Sequence, residues 1–282
     1  MLPNQTRWRP GRHTQFATLF ISLVVGVFPF LGIAEGEKLR PGAVALQQLL
    51  SATGKLAGKD SSGTCFLLRP PASAGWPNNV FILVTAAHAL SEVPGAEAHL
   101  VLRDRRPDGS YLRREIPLLL RSGDRTLWRK HPQEDVAVLR FSLPRDVTCD
   151  PPNLGQLAQS ADFVNGSIAL GTDTWIFGCP AQLEVNEAGF PVLRHGSIAS
   201  LPLIPIDSHR TFLVDFSTFG GDSGGPVMHR DSGMILGLVL GMHRQTDRTV
   251  IPFEERTVHH PLGLAIVAHA GVIRETVELL LH

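Results

Sequence analysis

Apolar runs in this chain are short and closely punctuated. Thr64–Leu68, Val80–Thr85, His99–Arg103, Tyr111–Leu120, Val136–Phe141, Thr174–Phe177, Ser197–Leu203, Thr211–Phe216, Met234–Leu240 and Gly263–Val267 are apolar or alternating, and Gly, Pro, Asp or Ser clusters bound each one. Runs of that length at period two predict strands of a sandwich or barrel. AVALQQLL, at 43–50, fits strand or helix equally. Only the tail HAGVIRETVELLLH has helical spacing, with Val272, Ile273, Thr276, Leu279 and Leu280 on one face. Many short strands closed by one helix predict an all-β architecture. The Pro-rich stretch at Cys149–Pro152 divides the strands into two similar groups, which places a boundary near 145–165.

The N-terminus breaks this pattern. Arg7, Arg9 and Arg12 precede an uncharged stretch, Thr14 to Ala34, that contains FATLFISLVVGVFPFLGIA. Small residues at Gly32 and Ala34 suit an export peptidase, so residues 1–34 read as a removable signal. Left uncleaved, the same stretch would act as a membrane anchor, although Gly26, Pro29 and Gly32 weaken it as a span. Either way the remainder is expected outside the cytoplasm, periplasmic or secreted. Residues 35–60 then form an N-terminal segment, and 61–282 form the main domain.

Composition narrows the classes. The 282 residues carry 26 Lys plus Arg against 26 Asp plus Glu. No basic stripe points to nucleic acid. Without the first 34 residues, which hold three arginines and no acids, the domain is mildly acidic. The 3 cysteines, Cys65, Cys149 and Cys179, are far apart; they exclude a disulfide scaffold, leave room for one bridge, and give no zinc spacing. The 12 histidines include no HExxH pattern. Neither a metal nor another cofactor is implied.

The candidate chemistry centres on FGGDSGGPV, at 219–227, where glycines flank Ser223 on both sides and let main-chain N–H groups approach a ligand closely. A serine hydroxyl needs a base, and the base needs an orienting group. Upstream, ILVTAAHAL places His88 after a strand among small alanines. HPQEDVAVLRF places Asp135 at the mouth of a buried strand, where a carboxylate needs a hydrogen-bond donor such as an imidazole N–H.

TAAH, DVAVL and GDSGGPV, in that order, together resemble the signatures of chymotrypsin-fold (trypsin-like) serine peptidases, across about residues 61 to 270. SGTCFLL, VDFSTFGGDSGGPV and GLAIVAHAGVIRETVELL are similar to the bacterial HtrA-like and glutamyl-endopeptidase-like branch. No length remains after the tail for a PDZ domain. The resemblance implies two six-stranded antiparallel β-barrels with a C-terminal helix, and a cleft between the barrels that takes protein or peptide substrates. It implies His88 as general base and then acid, Asp135 as its orienting carboxylate, Ser223 as nucleophile, and the N–H groups of Gly221 and Ser223 as the oxyanion hole.

Two other classes compete. GDSGG also fits the G-x-S-x-G elbow of α/β-hydrolase esterases, but that fold needs its acid and histidine after the serine. A catalytically inactive binding module of the same β fold would ordinarily lack one of the three residues. No Ile-Val-Gly-Gly-like segment follows a basic residue, so Asp222 has no partner of the kind a new N-terminus supplies in animal trypsins. For specificity, the resemblance places Ser217 at the pocket floor, Thr218 beside it and Val239 on one wall, an uncharged pocket expected to take small or apolar side chains. Asp215 and His243 lie close enough in sequence to alter that.

Overall fold

The computed structural model describes residues 41–59, 61–251 and 254–282. The apolar stretch read as an export signal or anchor lies outside the described residues. The first half contains α1 (Pro41–Ala52), β1 (Thr53–Ala57), β2 (Ser62–Leu68), β3 (Val80–Ala86), α2 (Ala87–Ser91), β4 (Glu97–Arg105), β5 (Tyr111–Leu119), β6 (Arg121–Ser122), β7 (Arg125–Thr126), β8 (Trp128–Lys130) and β9 (Val136–Ser142). The second contains α3 (Ser160–Val164), β10 (Asp173–Gly178), β11 (Val192–Ile198), β12 (Thr211–Asp215), β13 (Pro226–His229), β14 (Ile235–Ile251), β15 (Glu254–His269) and α4 (Ala270–Leu281).

The fold is mostly β, and among the described residues every ladder between named strands is antiparallel. The second half closes into a six-stranded barrel in the order β10-β11-β12-β15-β14-β13. The first half pairs as a seven-stranded sheet, β5-β4-β1-β2-β3-β9-β8, with edges at β5 and β8, rather than as a six-stranded closed ring. Pro117 is tolerated in β5 because an edge strand needs fewer ladder donors. The antiparallel ladders leave no place for the parallel sheet of an α/β-hydrolase.

Residues 41–59, set apart from the main domain on sequence alone, are integral to it. AVALQQLL is helical, and α1 buries Ala45, Leu49 and Ala52. β1 then lies between β2 and β4. Arg103, on β4 and only 6% exposed, secures this join. Its guanidinium donates to the carbonyls of Leu50 (3.1 Å), Gly189 (3.2 Å) and Thr53, satisfying groups that a helix C-terminus leaves unpaired.

Three other elements depart from the pattern. β11 ends at Ile198 rather than running to Leu203, since Pro202 and Pro205 supply no N–H to a ladder. β14 and β15 each extend well beyond their apolar segments as a long hairpin. In α4 the buried face is Ala270, Val272, Ile273, Thr276 and Val277, while Leu279 is 43% exposed. The three cysteines are free thiols; burial raises Cys149 and Cys179 to about 11.

His269 starts α4. Its side chain accepts the Gly271 N–H at 3.3 Å and packs against the Phe163 ring at 4.5 Å. It is fully buried, and burial lowers its pKa to about 4. Unfolding exposes it to a value near 6.5, so the unfolded chain binds more protons between those pH values. Stability is therefore present above about pH 6.5 and falls as pH drops toward 4. The urea midpoint is expected to fall between pH 7 and 5, and His269→Asn, which keeps a capping side chain, is expected to flatten that fall. An unchanged slope in the variant would assign the acid sensitivity elsewhere.

Candidate active site

Strand register brings His88 and Asp135 together. β3 and β9 pair with Ala86 opposite Val136, so the residues just beyond those positions meet at one end of the sheet. The Ala87 N–H donates to the Asp135 carbonyl at 3.0 Å. The Asp135 carboxylate accepts the His88 main-chain N–H at 2.9 Å through Oδ1, and its Oδ2 holds the imidazole Nδ1. The side-chain hydrogen bond from Asp135 raises the His88 pKa above its usual 6.5, against partial desolvation. At Asp135, partial burial pushes the carboxyl up, but the bonds and charge of His88 outweigh it and the net shift is downward.

The turn before Asp135 is built around His131, which is 4% exposed. Its Nδ1 accepts the N–H groups of Gln133 (3.2 Å) and Glu134 (3.0 Å), and its Nε2 meets Glu275 of α4 at 3.0 Å. Arg210 donates to the same Glu275 at 2.6 Å. The closing helix thus supports the turn that presents Asp135, a role with no signal in local sequence.

Ser223 lies on the barrel side of the cleft, between β12 and β13. Gly224 N–H donates to Val239 O (2.7 Å), and Val239 N–H donates to Gly225 O (2.9 Å), stitching the turn to β14. Gly221 has φ +96°, and a Cβ there would sit 2.5 Å from the Cys179 carbonyl oxygen; only glycine fits. Ser223 Oγ donates to the Leu240 carbonyl at 3.0 Å. Leu240 falls at a register shift in β14, a bulge that frees it from β15. His88, Ser223, Gly220 and Gly221 line one cleft of about 640 Å³.

Thr64 ties this turn to the first sheet. Its N–H donates to Ser223 O (2.9 Å), and its hydroxyl donates to Gly221 O (2.7 Å) while accepting the Cys179 N–H (2.8 Å). Gly220 O is held by the Ala181 N–H at 2.8 Å. C=O and N–H of one trans peptide point in opposite directions, so the Gly221 N–H is turned away from Ala181. Among the described residues, the N–H groups of Gly221 and Ser223 donate to no protein acceptor.

Asp222, without a partner on sequence, is fully buried and has three donors. Arg194 Nη2 lies 2.5 Å from Oδ1, while Thr218 Oγ1 (3.1 Å) and the Phe219 N–H (2.7 Å) reach Oδ2. The guanidinium also sits 5.5 Å from the Phe216 ring centre and donates to the Ser217 carbonyl at 3.3 Å. The proposed pocket residues separate accordingly. Ser217 is exposed, the hydroxyl of Thr218 is engaged by Asp222, and Val239 is wholly buried in the barrel. Neither Thr218 nor Val239 presents free surface. Asp215 is exposed within the β11–β12 ladder, and His243 is exposed on β14.

Arg194→Met is expected to destabilise the fold by about 3–5 kcal/mol, because it leaves a buried carboxylate unpaired. Adding Asp222→Asn should recover part of the loss. Urea unfolding of the two single variants and the double variant measures this coupling, and strictly additive effects would remove the ion pair from the account.

A family model for the trypsin-like peptidase domain matches residues 63–238. A search of curated proteins finds no match. Among solved structures, the chain is similar to the inactive form of Rv3671c from M. tuberculosis, a serine-to-alanine mutant, at 19% identity and TM-score 0.46, covering 83% of this chain and 89% of that one. It is similar to a mutant of human heparin binding protein (CAP37) at 16% identity and TM-score 0.48, covering 86% and 94%. A thermostable serine protease, AL20, from an extremophilic microorganism is similar at 11% identity and TM-score 0.47, covering 80% and 95%.

Proposed function

We infer that this chain, which belongs to the trypsin-like peptidase domain family, is a serine endopeptidase that cuts protein or peptide substrates with His88, Asp135 and Ser223. The observation that carries this reading is His88, doubly held by Asp135 and lining the same cleft as Ser223. For this reaction the Ser223 hydroxyl would have to leave Leu240 and bond to the imidazole, a tightening that substrate commonly brings about. His88 takes the hydroxyl proton as Oγ bonds to the scissile carbonyl carbon. Asp135 fixes the Nδ1–H tautomer and stabilises the imidazolium.

The oxyanion would be received by the N–H groups of Gly221 and Ser223, and each such donor is worth on the order of 10²–10³ in rate. His88 then gives its proton to the leaving amine, and the C–N bond breaks to leave an acyl-serine. A water deprotonated by His88 hydrolyses that ester and returns the hydroxyl.

A fluorophosphonate probe should label Ser223 in the purified protein and leave Ser223→Ala unlabelled. Labelling needs neutral His88, whose pKa is raised above 6.5. The rate should therefore climb with pH through a midpoint above that value. Asp135→Asn removes the cause of the shift, so its midpoint should fall, with a rate loss on the order of 10⁴. Labelling of Ser223→Ala, or a rate flat from pH 5 to 9, would contradict the mechanism.

The reading extends to specificity. Ser217 carries no charge, and the cation beside it is already neutralised by Asp222. A substrate Arg or Lys at this position would gain no carboxylate from these residues, whereas a small or apolar side chain gains about 0.8 kcal/mol per buried methylene. Cleavage after residues such as Ala, Val, Leu or Met is expected in a peptide-library digest read by mass spectrometry. Dominant cleavage after Arg or Lys would implicate Asp215, and cleavage after Glu would implicate His243.

A further inference from the structure

Among the described residues, no strand joins the edge of β14 next to Ser223 beyond Leu238. β13 leaves β14 at Leu238, and the next main-chain partners on that edge belong to the nucleophile turn itself, Gly224 and Gly225 on Val239. On the other side of the hairpin, β12 leaves β15 at Leu264. Beyond these points β14 and β15 pair only with each other, out to Ile251 opposite Glu254, and no other strand joins either edge among the described residues. His243 through Arg248 are exposed. A ribbon of two strands is marginal in water, and its bare N–H and C=O groups form a template for a third strand.

The position and direction of that edge select the occupant. It begins at Leu240, whose carbonyl touches the Ser223 hydroxyl, and runs from there for roughly 35 Å at about 3.4 Å per residue. In the proposed reaction the leaving amine takes its proton from His88, so the leaving half of a substrate is expected on the His88, Glu92 and β1–β2 side of the cleft, away from Leu240. The acyl half is left with β14. It runs from the scissile carbonyl back toward its own N-terminus while β14 runs outward toward Ile251, so the two strands are antiparallel, the more stable pairing. Register shifts at Val239/Gly241 and Met242/Arg244 bend and twist the ribbon, and they separate an outer segment from the few residues beside the nucleophile.

We propose that the outer part of β14, from His243 outward, is an exosite that takes an extended acyl-side segment of a polypeptide substrate as a third strand, reaching on the order of ten residues before the scissile bond. The proposal rests on the peptidase reading above and adds a requirement for length and extended conformation upstream of the cut.

Full-length Ser223→Ala protein, titrated with fluorescent peptides that share one scissile sequence but carry about four, eight or twelve acyl-side residues, reads the exosite without turnover. Affinity is expected to tighten about tenfold between the shortest and the longer peptides, as added main-chain pairing contributes. A benzophenone at about the eighth acyl-side position should crosslink to residues 243–248. A variant with residues 245–260 replaced by a two-residue turn should keep fluorophosphonate labelling, when Ser223 is retained, and lose the length dependence. Affinity independent of length, crosslinks elsewhere, or a ribbon that pairs a second copy of the chain in sedimentation would each overturn the proposal. Failure of the native protein to label would bring down the peptidase reading, whereas labelling without length dependence brings down the exosite alone.

Discussion

A fully buried carboxylate, Asp222, stands beside Ser223 and constrains the turn around it. Asp222 must keep its donors or leave an unpaired charge in the interior, a penalty of several kcal/mol. Its donors come from three places: Arg194 on β11, Thr218 at the start of the turn, and the main chain at Phe219. Meeting that need fixes the conformation of 217–223 and, with it, the directions of the Gly221 and Ser223 N–H groups. Arg194 crosses from a strand that is remote in sequence, so the turn acquires its shape only once the barrel has formed. The chain thereby meets internally a charge requirement that a new N-terminus meets in animal trypsins.

The other half of the site depends on the first sheet, and one buried threonine couples the two. Thr64 bonds to Ser223, Gly221 and Cys179 at once, so a shift of β2 moves the nucleophile turn directly. On the far side, the β3–β9 register sets His88 against Asp135, and α4 braces the Asp135 turn through Glu275 and His131. Neither sheet alone assembles the cleft. The residues around the cleft are held by main-chain and buried polar bonds rather than by side-chain packing alone, which limits their rotor freedom.

The local sequence was sufficient wherever the physics is local. Short apolar runs became strands because their side chains had to leave water; Leu67, Leu83, Val138, Phe177 and Leu238 are buried, and β3 is buried on both faces. His88, Asp135 and Ser223 are legible because each sits in a distinctive short motif; in the fold Asp135 holds His88, and His88 and Ser223 line one cleft. Segments without a buried face gave no such signal. The outer halves of β14 and β15 are mostly polar in sequence, so periodicity says little about them. β1 is too short and glycine-containing to announce itself, and Leu279 satisfies helical spacing while facing solvent.

The tertiary structure alone decided the pairings between distant residues. No pattern around Arg194 marks it as the partner of Asp222, and none around Thr64 marks it as the clamp on Gly221. Val239 is a further case: its position near Ser223 is legible in the sequence, but only the closed barrel shows its side chain to be wholly buried. Such outcomes depend on which strands become neighbours and at what register. A one-residue slip would turn every side chain to the other face, so the choice is made by the whole set of ladders together. Sequence by itself determined the strand-rich class and singled out the candidate residues His88, Asp135 and Ser223, since those follow from burial and chemistry within a few residues. The partners, the supports and the free edge of the ribbon were settled by folding, because they join residues that only sheet closure brings within hydrogen-bonding distance.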